Sequence, residues 1–187
     1  MKSREDLKLQ LVEHYKWLRQ YGCNDSHSGN ASFRWQDEVW VTPTGCCADT
    51  LQADDLICCD ISGRVDEGAS LDAPLHIQIY QKNTKAQAVF HSHGPHTVAM
   101  TFSGQDFVPI DFEGQYYFPL VPVITIAYDR YVHEAPAAVA NVLADHKVTV
   151  VRGHGVYAVA ETINLAYKWS CSVELSAKTA WLEKQIN

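Results

Sequence analysis

Basic residues are in short supply in this chain. Lysine and arginine number 15 against 22 aspartates and glutamates, a formal net charge of -7. That balance argues against non-specific nucleic-acid binding and leaves recognition of any anionic ligand to local groups. Long apolar runs are also missing. None approaches the roughly 20 residues that a membrane-spanning helix needs, so no membrane partner is expected. The stretch from Met1 to Leu7 lacks the apolar core of a secretory signal, which makes a cytoplasmic location the expectation. The six cysteines never fall in a CxxC pattern. Cys46-Cys47 and Cys58-Cys59 are adjacent pairs, and Cys23 and Cys171 stand alone. A cysteine zinc site or a thioredoxin-like centre is therefore not expected, and free thiols are expected rather than disulfides. No internal repeat, linker or low-complexity tract interrupts the chain. Residues 1–187 are expected to form one domain, long enough to bury a sizeable core. Apolar residues at 47% and charged residues at 20% are ordinary for a globular protein.

Periodicity supplies the elements. Residues 3–21 read as an amphipathic helix, with Ser3 and Asp6 close to a capping box and Gly22 ending it. Residues 31–35 and 38–42 alternate and are joined by Gln36-Asp37, as in an antiparallel hairpin. Residues 56–61 are a further strand. Residues 72–81 read as a helix with Pro74 in its first turn. Residues 95–102 read as a helix burying Val98 and Met100. Residues 106–128 read as several short β-runs broken by Pro109, Pro119 and Pro122. A helix over 134–144, strands over 148–151 and 156–159, and a long helix over 162–185 complete the chain. The order mixes α and β without the regular βαβ alternation of a doubly wound fold.

What is present is concentrated in residues 86–96. An apolar run, Ala88 to Phe90, leads into His91 and His93. Alternate residues of a strand share a face, so the two imidazoles stand side by side at the strand's end. Two neutral imidazoles suit a borderline metal such as zinc, and a catalytic zinc needs a third protein ligand and an open position. The third candidate is His154, which ends a second apolar β-run and is flanked by Gly153 and Gly155. His76, His96 and His133 lie outside this set. Three polar stretches also bear on chemistry: Ser28-Gly29-Asn30, Thr42-Pro43-Thr44-Gly45 and Ser70-Leu71-Asp72. Glycine allows close approach of backbone to a ligand, and a helix start favours anions. Taken singly, each stretch reads as turn and cap chemistry, and Asp72 as a helix-cap carboxylate.

Taken in order, the stretches resemble the class II aldolase/adducin family. The matching words are Gly29-Asn30-Ala31-Ser32 with Arg34; Val41 to Gly45; Leu51 to Leu56; Asp60 to Gly63; Pro74-Leu75-His76 with Ile79-Tyr80; Val89 to His93; and Arg152 to Gly155. They cover most of the chain. The HxH followed about sixty residues later by His-Gly, with the other words in sequence, is the specific part.

The resemblance implies an α/β fold of three layers, α-β-α, with a mostly antiparallel central sheet. It implies Zn2+ held by His91, His93 and His154. It places Gly29, Asn30, Thr44, Gly45 and Ser70 at positions that hold a substrate phosphate. Asp72 stands where the family's sugar-phosphate aldolases carry an acid/base glutamate. It also implies a homotetramer with sites near subunit interfaces. The aromatic segment Phe112 to Phe118 reads equally as a contact surface or as a core strand pair.

The expected activity is that of a zinc-dependent carbon–carbon lyase cleaving a small ketose 1-phosphate, such as a fuculose- or ribulose-1-phosphate-like sugar. Dehydration, epimerisation or decarboxylation by the same chemistry is the alternative. A non-catalytic adducin-like domain ranks last, because all three ligand histidines are present. The chain departs from the family in three places. Asp72 is one methylene shorter than glutamate, Leu71 replaces a serine, and Ala127 to Tyr131 lacks a proline-glycine turn. If Asp72 is not the proton carrier, His96, Tyr116 and Tyr117 come next.

Overall fold

The structure, a computed structural model, describes residues 2–186. In chain order its elements are α1 (Arg4–Gln20), β1 (Asn30–Trp35), β2 (Glu38–Val41), β3 (Ile57–Asp60), α2 (Ala73–Lys82), β4 (Ala88–Ser92), α3 (Pro95–Met100), α4 (Phe112–Tyr117), β5 (Val123–Ile124), α5 (Tyr131–Val142), β6 (Val148–Val151), β7 (Gly155–Ala160) and α6 (Ile163–Ile186). The strands form one sheet in the order β3-β2-β1-β4-β7-β6-β5. Every pairing is antiparallel except that of β5 with β6. Among the described residues, no helix is long and apolar enough to cross a membrane.

The pleat sorts side chains into two layers. Ala31, Phe33, Ala88, Phe90, Val156 and Ala158 point to one face, where Leu11, Tyr15 and Leu18 of α1 and Ala166, Val173 and Ala177 of α6 cover them. Val39, Val41, Val89, Tyr157 and Val159 point to the other, against Leu75, Ile79 and Tyr80 of α2 and Ala135 and Val139 of α5. Both faces of the sheet are buried, which gives the three-layer α-β-α arrangement. The N-terminal capping box is formed: the Asp6 N–H donates to Ser3 Oγ at 3.1 Å, and the Ser3 N–H to Asp6 Oδ2 at 3.0 Å.

Three stretches differ from the sequence reading. Residues 106–128 keep little of the expected β-runs, an isolated antiparallel bridge of Phe107 with Val121 and a two-residue strand, and hold a six-residue helix between them. Asp111 decides this locally, because its carboxylate accepts the Gly114 N–H at 2.9 Å and starts a helix in an aromatic stretch. In α3 the fully buried side chain is Thr97, while Val98 and Met100 are half-buried. The cause is Glu174 of α6, a buried carboxylate that needs donors. It accepts the Thr97 hydroxyl at 2.7 Å and the Thr97 N–H at 2.9 Å. Finally, α5 begins at Tyr131, three residues earlier than periodicity suggests, and carries Pro136 within it.

Candidate metal centre

Register builds the site before any side chain is considered. Asn30 of β1 pairs with His91 of β4, and His91 pairs with Tyr157 of β7. Directly paired residues share a face, so these three form a row across the sheet, turned toward α2 and α5. Asp72, at the start of α2, reaches onto that row. Its Oδ2 accepts Asn30 Nδ2–H and the Tyr157 hydroxyl, both at 2.9 Å, and lies 3.9 Å from His91 Nε2. Its Oδ1 accepts the Tyr131 hydroxyl at 2.9 Å. The hydroxyls of Tyr131 and Tyr157 touch one another, and the Tyr157 ring stacks on His91 with centroids 4.1 Å apart. Asp72 occupies the N-cap position of α2 but its side chain makes no cap bond. The plain cap reading of Asp72 therefore fails: its oxygens accept from Asn30, Tyr131 and Tyr157, not from the helix.

Three ring nitrogens converge beside this carboxylate. His91 is buried in β4, and its Nδ1 lies 2.9 Å from the Val156 carbonyl. A carbonyl only accepts, so the proton sits on Nδ1 and the Nε2 lone pair faces inward. His93 Nε2 lies 2.8 Å and His154 Nε2 3.0 Å from His91 Nε2. Two nitrogens on a tetrahedral zinc, each about 2.0–2.1 Å from it, stand roughly 3.3 Å apart. The three rings are thus a compact set of donors that could hold a metal ion.

Backbone contacts fix two of the rings. The His93 N–H is shared between the Cys23 carbonyl at 2.8 Å and Asn24 Oδ1 at 2.9 Å. His154 sits in the β6–β7 turn, closed by Gly155. A Cβ there would lie 2.5 Å from the Ser92 carbonyl, 2.7 Å from His93 Cδ2 and 2.8 Å from His91 Cε1. Only glycine lets this turn close over the other two rings. Gly29 plays the same part before β1: its φ is +76°, and a Cβ would lie 2.5 Å from the His91 carbonyl.

Electrostatics match the donor set. Burial pushes the pKa of all three histidines down, that of His93 to about 4. They are neutral at pH 7, the form that binds metal. Burial would raise Asp72. The neighbouring His91, the Asn30 amide, His76 and the Tyr157 hydroxyl outweigh it, and the carboxyl falls to about 2. The centre therefore holds three neutral bases and one anion.

The polar loops come together through backbone contacts. Pro43 bridges Ala69, the Thr44 N–H donates to the Gly68 carbonyl at 2.9 Å, and the Ser70 N–H donates to the Thr42 carbonyl at 3.1 Å. The Ala31 N–H donates to Thr42 Oγ1 at 3.2 Å. Thr44, Gly45 and Ser70 are thus pinned near the start of β1, where Gly29 and Asn30 lie. Asn30 gives its amide N–H to Asp72, and its buried Oδ1 has no partner among the described residues. Arg34 turns away, donating to the Gln36 carbonyl at 2.8 Å.

Beside the histidines opens a cavity of about 770 Å3, lined among others by Leu71, His93, Tyr131, Arg152 and His154. The reserve candidates do not line it. His96 bonds Glu174 at 2.6 Å, Tyr117 packs on Trp169, and Tyr116 is exposed. His76 is buried against Ser32, and His133 is on the surface. Tyr131 and Tyr157, whose hydroxyls donate to Asp72, are the side chains of this cluster that sequence reasoning missed. The available signal was a hydroxyl-bearing ring at an alternating position of β7, an otherwise apolar strand.

The three-layer fold, with histidines from two neighbouring strand ends converging over an antiparallel sheet, defines a metal-site protein of the class II aldolase kind. Residues 9–181 match the Class II Aldolase and Adducin N-terminal domain, and the chain belongs to that family. It is 27% identical to the L-fuculose phosphate aldolase of Escherichia coli (strain K12) over 190 residues, covering 98% of this chain and 80% of that protein. The crystal structure of L-fuculose-1-phosphate aldolase from Thermus thermophilus superposes with a TM-score of 0.90 at 29% identity, over 96% of this chain and 94% of that one. YgbL of Escherichia coli, whose assignment spans aldolase, epimerase and decarboxylase, shares the fold with a TM-score of 0.87 at 21% identity, over 97% and 91% of the two chains.

Proposed function

We propose that the chain is a zinc-dependent aldolase, a carbon–carbon lyase cleaving a small ketose 1-phosphate such as a fuculose- or ribulose-1-phosphate-like sugar. The observation that carries this reading is the carboxylate of Asp72, held 3.9 Å from His91 Nε2 beside three convergent imidazoles. The family, and relatives that are themselves L-fuculose phosphate aldolases, support the same reaction class.

His91, His93 and His154 would hold the Zn2+, and the ion would supply the positive charge that a developing enediolate oxyanion requires. The rest belongs to the chain. Asp72 is buried and reaches the cavity through Tyr131, whose hydroxyl donates to Oδ1 and whose ring lies on His154. Asp72 carries the proton between the reacting carbon and solvent, and Tyr131 is the cavity-facing member of the pair. Asn30 and Tyr157 orient the carboxylate from the sheet. Gly29, Asn30, Thr44, Gly45 and Ser70 form the phosphate site, with Gly45 N–H and the Thr44 and Ser70 hydroxyls as its free donors. The working form is a homotetramer in the cytoplasm.

One observation favours the alternative of dehydration, epimerisation or decarboxylation. Leu71, 62% exposed, stands on the cavity wall where the family's aldolases carry a serine. Product analysis separates the readings, because only the lyase yields an aldehyde and dihydroxyacetone phosphate from one ketose phosphate.

Two variants test the assignments together. Elemental analysis is expected to find zinc in Asp72→Asn and little in His154→Ala. Turnover of Asp72→Asn is expected to fall roughly 10²–10⁴-fold. Wild-type turnover in Asp72→Asn would remove the proton carrier, and full zinc in His154→Ala would remove the metal site.

A further inference from the structure

We propose that Arg152 reads an oxyanion at the end of the substrate remote from the histidines, so that the site prefers ketoses whose terminal carbon bears a phosphate or a carboxylate. The inference rests on the reading of His91, His93 and His154 as a centre that holds a hydroxyketone, and it adds the substrate's other end.

The cavity beside the histidines has a one-sided chemistry. Leu71, Ile126, Val132 and Val151 give it an apolar wall, and Arg152 is the one lysine or arginine on its lining. The loops of Thr44, Gly45 and Ser70 do not line it. Apart from the ion that the histidines would hold, a ligand that fills this volume therefore meets a cationic side chain only at Arg152. Asp129, also on the lining, repels an anion that is not paired with the guanidinium.

The arginine is held in place before any ligand arrives. Its backbone N–H donates to the Ile124 carbonyl at 2.9 Å. Its Nε donates to the Phe102 carbonyl at 2.6 Å, and the guanidinium lies over the Phe102 ring, 5.4 Å from the centroid. Both terminal nitrogens have no hydrogen-bond partner among the described residues. An arginine normally loses side-chain freedom when it binds, and here two contacts have already removed it. What remains is a planar guanidinium on a residue of the cavity lining, two residues from His154, whose terminal donors suit bidentate contact with a carboxylate or a phosphate. Among the described residues, the Phe102 carbonyl and ring are the contacts that hold the guanidinium, and they leave those two nitrogens for a ligand.

Calorimetric titration of the zinc-loaded protein tests this with three ligands that share one hydroxyketone end. Ribulose ends in a hydroxyl, ribulose 5-phosphate in a phosphate and the matching 4-ketopentonate in a carboxylate. At least one of the two anions is expected to bind wild type about 10- to 100-fold more tightly than ribulose. The larger contrast identifies the group. In Arg152→Gln the contrast is expected to fall to about twofold or less, with ribulose affinity and zinc content unchanged, and Arg152→Lys to restore part of it. Equal binding of all three ligands to wild type, or a contrast that survives in Arg152→Gln, would overturn the proposal. A ketose 1-phosphate is added to a separate sample, where absence of aldehyde counts against the lyase reading, while the binding contrast alone judges Arg152.

Discussion

His76 shows how one residue can be tied to stability without taking part in chemistry. It is fully buried on α2, with Nδ1 2.7 Å from Ser32 Oγ and Nε2 without a partner among the described residues. Burial lowers its pKa to about 4, against a smaller upward pull from Asp72. In the unfolded chain a histidine titrates near ~6.5. Between these values the unfolded state takes up a proton that the folded state refuses, so stability falls as pH drops through that window and rises again toward neutrality. The contribution from His76 between pH 7 and pH 5 is about 2 kcal/mol. Urea titrations at the two pH values should show a smaller acid loss in His76→Gln than in wild type. The other buried histidines remain in both proteins, so the difference isolates this one. Identical losses would show that His76 is not the source.

At the scale of elements, legibility followed the range of the deciding interaction. The HxH word was readable because a strand's alternation is local, and the hairpin over Asn30–Val41 for the same reason. Row partners of His91 were not readable, since Tyr157 reaches it only through strand register. The helix α4 was masked by its aromatic content, although Asp111 was present as its cap. α3 is the clearest case. A six-residue helix with Gly94 at its N-cap has no side-chain cap of its own and does not stand alone. Glu174, far along the chain in α6, supplies the missing acceptors. It takes the N–H groups of His96 and Thr97 at 3.0 and 2.9 Å, with the His96 ring and the Thr97 hydroxyl completing its partners. Glu174→Ala should therefore cost roughly 2 kcal/mol or more, because it strands several buried donors at once. Glu174→Gln should cost less than Ala while still turning one amide N–H toward a donor. Urea midpoints for the pair check this, and an Ala variant as stable as wild type would show that α3 is held by other contacts.

At the scale of the molecule, what matters is the surface the fold leaves uncovered. The connection from β4 to β5 exposes Val108 (56%), Ile110 (49%), Phe112 (83%) and Tyr116 (78%), while Phe118 of the same segment is buried. The segment is thus not a core strand pair. It turns large apolar side chains outward from a short capped helix, and aromatic residues of this kind are enriched where protein surfaces meet. The proposed homotetramer gives these side chains a partner. Each chain carries a formal charge of -7, so like charges oppose association and apolar contact must outweigh them. Salt screens that repulsion over roughly 10 Å at 0.1 M, and assembly should tighten as salt is raised from low concentration. Sedimentation is expected to give a species near four times the 21.0 kDa chain. Replacing both Phe112 and Tyr116 by serine should shift it toward smaller species without loss of helix content, since both side chains stand free of the protomer's core. A wild-type monomer that is stable and turns over substrate would overturn the assembly. A double variant that sediments as wild type would move the contact to another face.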